Sequence, residues 1–350
     1  MMRAIFGLLL MTLFAKSVSA NAAVGFQQIT VPDPQGQPLK AGMWYPSSGD
    51  ASSQPLGPFA QTVVVNGPVQ GIGLPLIVIS HGNSGSMASH YDTALALASG
   101  GFIVVAVTHT GDNYLDQSYA GTHKNLIDRP RQIERVIDFV LSSWPYHQQI
   151  DSHRIGIFGF SLGGFTALVE IGGTPDLSRT VLLCDQRPNA PECQFIRQRR
   201  GDQLIPLGTT PHWFRDSRVK AVVVVAPALG FLFGPGSLQR ARVRVQLWEA
   251  SADTQAPVKW NAEVVRKELP MVSERYVMGK GDHFIFLAPC SDALTQSAPQ
   301  ICRDVDGFDR VAFHKQFNEL VLVFFKKQLN RSRGRRSLSW FQEPRVMRRP

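Results

Sequence analysis

The sequence predicts an α/β protein built on a wound, mostly parallel sheet, and three observations carry that expectation. Apolar runs of strand length recur at 76–80, 102–107, 154–158, 219–226, 242–248 and 274–278, with helical stretches between them. Several of these runs are unbroken Val and Ile, as in AVVVVA, the pattern of strands buried on both faces of a parallel sheet. The stretch GIFGFSLGGFTALVE, 156–170, reads as a strand, a glycine-flanked serine and a helix in immediate succession.

Taken in chain order, the first segment has the layout of a secretory signal peptide. Arg3 precedes an apolar run at 4–15 and then Val18-Ser19-Ala20, so cleavage is expected after Ala20, with Ala22 also fitting. The run falls short of the roughly 20 residues that span a bilayer. The mature chain is therefore expected to be exported, secreted or periplasmic. Residues 25–46 read as an antiparallel pair, and 47–73, rich in Ser, Gly, Pro and Gln around TVVV, as a surface excursion. Asp128 precedes Arg129-Pro130 and the helically spaced Ile133, Val136, Ile137 and Val140, so a helix is expected with Asp128 as N-cap and Pro130 in its first turn. A long insertion at about 172–218 separates the Ser161 helix from the next strand. It could arch over the site as a lid or decorate an edge of the fold. Residues 21–330 thus form one large domain, followed by a basic tail at 331–350 whose composition suits disorder.

The formal charge of +9 does not indicate a nucleic-acid partner. Residues 331–350 carry +6 of it and Arg3 with Lys16 carry +2, which leaves +1 for residues 21–330. The tail is either a solvated end or a contact for an anionic surface. The four cysteines allow three connectivities. Cys184 with Cys193 and Cys290 with Cys302 would each close a short polar loop, and this local pairing is the one expected in an oxidising compartment. There is no CxxC or HExxH spacing and the histidines are scattered, so no metal site is expected.

The chemistry concentrates around Gly159-Phe160-Ser161-Leu162-Gly163, a G-x-S-x-G pattern. A turn from strand to helix this tight excludes Cβ atoms on either side, and its strain holds the serine hydroxyl clear of the backbone. The alternative is a helix-capping serine. A serine nucleophile needs a base and an orienting carboxylate, which in such folds follow in the order Ser, acid, His on loops after strands. His283, in the glycine-rich loop GKGDH, is the base candidate; His109 and His123 precede the serine and break that order. Asp253, just beyond the strand VRVQLWEA, is the acid candidate. Glu249 lies within that strand, and Asp282 adjoins His283, so it would have difficulty reaching the far ring nitrogen. Oxyanion donors are expected at the backbone amides of Leu162 and of Asn83, in the VISHGNSGS loop that His81 would brace. Phe231, Phe233, Trp213 and Trp248 are aromatics that could line a substrate pocket, although such residues more often fill a core.

With these residues assembled, the chain resembles the α/β-hydrolase superfamily, and within it the dienelactone-hydrolase-like proteins related to platelet-activating-factor acetylhydrolase. The likeness rests on PLIVISHGNSG, LASGGFIVVAVTH, DSHRIGIFGFSLGGFTAL and GKGDHFIFLAPC, and spans roughly residues 24–328. It implies an α/β-hydrolase fold with an eight-stranded, mostly parallel sheet and helices on both faces. It also implies ester hydrolysis through an acyl-enzyme, with Ser161 as nucleophile, His283 as base and the Asn83 and Leu162 amides as oxyanion donors. Two departures matter. Dienelactone hydrolases proper carry a cysteine at the elbow, so lactone specificity is not inherited. The acetylhydrolase branch takes its acid from the loop after the strand that here reads VVVVAPALG, where no carboxylate stands, and this moves the acid role to Asp253.

The resulting expectation is an exported serine carboxylester hydrolase, needing no cofactor and acting on small or short-acyl esters. The alternatives are a phospholipase-type lipid esterase, a serine peptidase using the same triad, and a non-catalytic binding protein on a hydrolase scaffold.

Overall fold

A computed structural model describes residues 23–200, 211–330 and 345–347. The expected signal segment, part of the insertion and most of the basic tail lie outside the described residues. Eleven strands among the described residues form one sheet: β1 (Ala23–Val31), β2 (Leu39–Ser47), β3 (Ser52–Leu56), β4 (Phe59–Val65), β5 (Leu74–Ser80), β6 (Ile103–Thr108), β7 (Ile150–Phe160), β8 (Val219–Val225), β9 (Arg244–Ala250), β10 (Glu274–Met278) and β11 (Arg345–Met347). Their order is β11-β10-β9-β8-β7-β5-β6-β2-β1-β4-β3. From β6 to β11 every neighbour is parallel, while β1/β2, β2/β6 and β3/β4 are antiparallel.

The side-chain alternation of the central strands builds two cores from one sheet. Leu76, Val78, Val222 and Val224 face one side, while Ile77, Ile79, Val223 and Val225 face the other. The first side is covered by α2 (His123–Ser142), through Ile133, Val136, Ile137 and Val140, and by α3 (Leu162–Glu170), through Phe165 and Leu168. The second is covered by α1 (Tyr91–Ser99), through Ala94 and Leu97, and by α9 (Arg310–Leu329), through Phe317, Val321 and Phe324. Helices on both faces and a mostly parallel sheet make this the α/β-hydrolase fold. Short helices complete it: α4 (Arg179–Gln186) and α5 (Pro191–Arg200) in the insertion, α6 (Ala262–Glu268) after β9, and α7 (Asp292–Ser297) with α8 (Pro299–Cys302) after β10.

Four expectations are corrected. The sheet has eleven strands instead of eight. The excursion at 47–73 folds into the β3/β4 hairpin, and the TVVV end of β4 pairs in parallel with β1 at Gly25–Val64 and Phe26–Val65. The tail contributes the eleventh strand: Arg345–Met347 pairs with β10 at Tyr276–Arg345 and Val277–Val346, so these three residues satisfy an edge that would otherwise expose its backbone donors and acceptors. Finally, α2 starts five residues before the expected Asp128 cap. Thr122 is the N-cap, its hydroxyl accepting from Asn125 N at 3.2 Å, and Pro130 lies inside the helix. Asn125 Nδ2 also bonds Asp112 at 2.8 Å, so tertiary contacts extend the helix ahead of the proline. Asp128 instead pairs along the helix with Lys124 at 2.6 Å.

The chain reverses direction across the sheet at β5, whose neighbours are β6 on one side and β7 on the other. The crevice beyond the carboxyl ends of such strands is the usual ligand site of a wound sheet. Ser80 and Phe160 end β5 and β7 there.

Candidate active site

Ser161 is the single residue between β7 and α3, with φ 55° and ψ −117°, a conformation that L-residues rarely adopt. The flanking glycines are sterically required. A Cβ on Gly159 would stand 2.1 Å from the Gly163 carbonyl oxygen, and one on Gly163 would stand 1.9 Å from the Ser80 carbonyl oxygen. The turn is pinned by Ser161 N donating to Val225 O at 2.9 Å and by Ala228 N donating to Ser161 O at 3.1 Å. The Ser161 side chain makes no capping hydrogen bond to α3, although the residue occupies the N-cap position. Its hydroxyl points elsewhere, 2.8 Å from His283 Nε2.

His283 opens a short 3₁₀ turn after β10, and its backbone N–H is held by Asp282 Oδ1 at 2.7 Å. Its Nδ1 lies 2.7 Å from Asp253 Oδ2. The other carboxylate oxygen, Asp253 Oδ1, accepts from Gln255 N at 3.0 Å and Ala256 N at 2.7 Å, which fixes the plane of the carboxyl group. A carboxylate can only accept, so His283 presents N–H at Nδ1 and a lone pair at Nε2, where it takes the Ser161 hydroxyl proton in a hydrogen bond. Ser161, His283 and Asp253 are all buried. The other carboxylates near this loop are engaged elsewhere. Glu249 points to Arg275 on β10. Asp282 accepts from Thr254 N at 2.9 Å and from its hydroxyl, tying the Asp253 loop to the His283 loop.

The remaining histidines have different stations. His81 donates from Nδ1 to the Gly82 carbonyl at 2.5 Å and accepts at Nε2 from His109 N at 3.1 Å, so it braces the loop after β5. Burial, reinforced by the Arg129 charge, holds it down to about 3, and it stays neutral. Burial likewise pushes His109 well below its ordinary value; its ring is held between Gln132 Oε1 at 2.7 Å and the Ser80 hydroxyl at 2.9 Å. His123 is on the wall of the cavity beside Ser161, lowered by partial burial.

Asn83 and Leu162 both border that cavity, together with Ser161 and His283. Leu162 is the first residue of α3, so its N–H has no acceptor within the helix and lies at the positive end of the helix dipole. Asn83 sits in the turn between His81 and Gly85, closed by Gly85 N donating to Gly82 O at 3.2 Å. Gly82 is closely approached: a Cβ there would stand 3.0 Å from the Phe160 ring and 3.2 Å from Ser161 Cβ, so those side chains would have to shift by a few tenths of an ångström.

The cavity has a volume of about 640 Å³ and a mainly apolar wall. Leu126 of α2 and Leu229 after β8 meet Phe195 and Ile196 of α5 across it, with Phe284 beside His283. The insertion therefore forms a wall of the cavity. Both disulfides brace that wall region: Cys184–Cys193 joins α4 to α5, and Cys290–Cys302 joins the start of the α7 segment to the end of α8, next to the cavity residue Ile301. Of the two fates the sequence left open for its aromatics, core or pocket wall, the structure shows the first. Phe231, Phe233 and Trp248 are buried in the core, and Trp213 packs edge-on to Phe165 at 6.2 Å; the rings at the cavity are Phe160, Phe195 and Phe284. Sequence reasoning also passed over Arg129 and Asp112, a buried pair behind the site. The signal was present: Arg129 falls on the same helical stripe as Ile133, Val136, Ile137 and Val140, a charge on an apolar face.

Residues 62–198 match the dienelactone hydrolase family, a span that includes Asn83 and Ser161 and ends before Asp253 and His283. No curated protein matches the chain. Among solved structures, a ferulic acid esterase from Streptomyces cinnamoneus superposes with a TM-score of 0.58 at 18% identity, covering 91% of this chain and 93% of that one. At that identity the likeness shows a shared fold. The family match bears out the resemblance read in the sequence and supports hydrolase activity.

Proposed function

We propose that this chain, a dienelactone-hydrolase-like protein of the α/β-hydrolase fold, is an exported serine carboxylester hydrolase working through Ser161, His283 and Asp253. One observation carries the reading: an unbroken hydrogen-bonded line from Asp253 Oδ2 through both ring nitrogens of His283 to Ser161 Oγ, at 2.7 and 2.8 Å, opening on an apolar cavity. His283 Nε2 takes the hydroxyl proton as Ser161 Oγ attacks the ester carbonyl. The Leu162 and Asn83 amides receive the developing oxyanion. The imidazolium, steadied by Asp253, gives its proton to the departing alcohol, and the acyl group stays on Ser161. A water entering where the alcohol left gives a proton to His283 as its oxygen bonds to the acyl carbon, and collapse breaks the bond to Ser161 Oγ, which takes that proton back as the acid departs.

The substrate is a small or short-acyl ester whose bound part is mainly apolar, since the cavity offers rings and aliphatic side chains with few charges. Export is supported by the leader-like sequence at 1–20 and by the two disulfides. Turnover of p-nitrophenyl esters of graded acyl length by the native protein and by Ser161→Ala tests the proposal. Loss of about 10⁴-fold or more in kcat is expected for the variant. Equal rates would end the esterase reading, and inertness toward every ester with turnover of peptides would replace it with a peptidase.

A further inference from the structure

We propose that the buried pair Arg129–Asp112 is the positioning element of the oxyanion pocket, a single ion pair that fixes the Asn83 amide relative to the Leu162 amide. The inference rests on the esterase reading above. Asp112 lies in the loop after β6 and Arg129 on α2; both side chains are fully buried and bond at 2.7 Å. Replacing such a pair by apolar residues is often neutral or stabilising, so stability alone is a weak reason for it. Apart from one bond to Asn125 on α2, its remaining bonds lead to the two segments that border Ser161.

On the side of the β5 loop, Arg129 Nη2 donates to the His81 carbonyl and to Ser80 Oγ at 3.3 Å, while Asp112 Oδ1 accepts from Ser84 N at 2.9 Å. The residues two before and one after Asn83 are thus held by opposite ends of one ion pair. Ser84 carries φ 58°, so this turn is one the chain does not adopt freely. On the side of α3, Arg129 Nε donates to Thr166 Oγ1 at 3.3 Å, and the Thr166 hydroxyl donates to the Leu162 carbonyl at 3.0 Å. Asn125 Nδ2, on the first turn of α2, completes the shell of Asp112 at 2.8 Å. Neither Arg129 nor Asp112 borders the cavity, so whatever they contribute reaches the substrate through backbone that they hold. Oxyanion donors are effective because they are fixed before charge develops, and a misplacement on the ångström scale is costly.

The test uses Asp112→Asn, Arg129→Met, Arg129→Lys and Thr166→Val, assayed on a p-nitrophenyl ester that the native enzyme turns over. A second readout is the affinity of phenylboronic acid, whose adduct with a serine is a tetrahedral anion. The expected result for Arg129→Met and Asp112→Asn is a fall in kcat of about 10- to 100-fold, bounded by the effect of deleting one donor, with KM moved less than about threefold. Boronate affinity should fall by the same factor as kcat/KM. Arg129→Lys, which keeps the charge, should recover part of the loss. Folded variants that keep both kcat and boronate affinity overturn the inference, as does a loss of melting temperature with kcat and boronate affinity intact. Should Arg129→Met not fold, Thr166→Val decides: a drop of about threefold to tenfold in kcat supports the inference and an unchanged kcat overturns it. Native enzyme without Ser161-dependent turnover would remove the esterase reading and the inference together, whereas active native enzyme with indifferent variants removes the inference alone.

Discussion

Asp253→Asn is the substitution whose consequence the geometry dictates most completely. Asp253 Oδ1 accepts two backbone amides, Gln255 N at 3.0 Å and Ala256 N at 2.7 Å. An asparagine at this position must keep its carbonyl oxygen on those donors, because the opposite flip would aim an NH₂ group at two N–H groups. Its amide nitrogen is then forced into the place of Oδ2, 2.7 Å from His283 Nδ1. A donor there requires Nδ1 to be an acceptor, so the ring proton moves to Nε2 and faces Ser161 Oγ. The fold is retained and the proposed base can no longer accept the Ser161 proton. Wrong-tautomer triads lose about 10⁴-fold in kcat, which corresponds to about 5.5 kcal/mol of transition-state stabilisation. The assay is steady-state hydrolysis of a p-nitrophenyl ester, with circular dichroism to show that the fold is intact. Asp282→Asn is the companion variant. That side chain bonds Thr254 and the His283 backbone and never the imidazole, so its loss should stay within about tenfold. An Asp253→Asn enzyme within tenfold of native activity, or Asp282→Asn as the more damaging of the two, would refute the assignment of the acid.

Other substitutions probe the frame around the site. Gly163→Ala places a Cβ 1.9 Å from the Ser80 carbonyl, a backbone atom that cannot yield without moving β5, so urea melts should show destabilisation of about 3 kcal/mol or more. Removing the Cys184–Cys193 bridge with a Cys184→Ser, Cys193→Ser pair frees a short loop, lowers stability by about 2–3 kcal/mol and loosens the α5 wall. KM should rise more than kcat falls, read from full saturation curves. Glu170 is buried at the end of α3 with both carboxyl oxygens lacking a partner among the described residues. Burial, followed by the neighbouring Asp216 and Glu134 charges, pushes it well above its ordinary value of 4.5, against the smaller opposing effect of Arg218. The fold thus prefers the protonated acid. Its contribution is fully present below about pH 4.5 and is lost as pH climbs toward the raised value. Glu170→Gln should raise the melting temperature at pH 8 more than at pH 4, and a uniform shift across that range would contradict the account.

Much of the frame was legible in the sequence because the relevant forces act between near neighbours. Unbroken Val and Ile runs are buried on both faces wherever they pair, so β5, β6 and β8 could be located within a few residues before any pairing was known. Gly159 and Gly163 are dictated by the volume of one turn, and that turn announces the strand-to-helix junction by itself. Cys184 with Cys193 and Cys290 with Cys302 are separated by 9 and 12 residues, close enough for local chain to bring them together. What escaped the sequence depends on distant contacts. The start of α2 is set by Thr122 capping and Asn125 reaching Asp112, which outweigh the start signal read at Asp128 and Pro130. The TVVV run is apolar but set among Ser, Gly, Pro and Gln, and Arg345–Met347 is too short to declare itself; β1 and β10 present the edges with which they pair.

The site divides along the same line. The sequence by itself determined that a strained serine stands at the carboxyl end of a central strand, and that acidic and imidazole groups follow on later loops. Only the tertiary structure decided which of three neighbouring carboxylates meets His283: the register of β9 against β10 turns Glu249 to Arg275, the 3₁₀ turn after β10 sends Asp282 to Thr254, and Asp253 is left facing the ring. The same holds for the aromatic residues, since a ring's fate as core or wall depends on what the insertion covers. Ser161 and His283 are 122 residues apart and meet because β7 and β10 run parallel in one sheet, ending on the same side. Steric rules of a single turn are written in adjacent residues, whereas the meeting of distant loops is a property of strand order and register, which exists only once the whole sheet has formed.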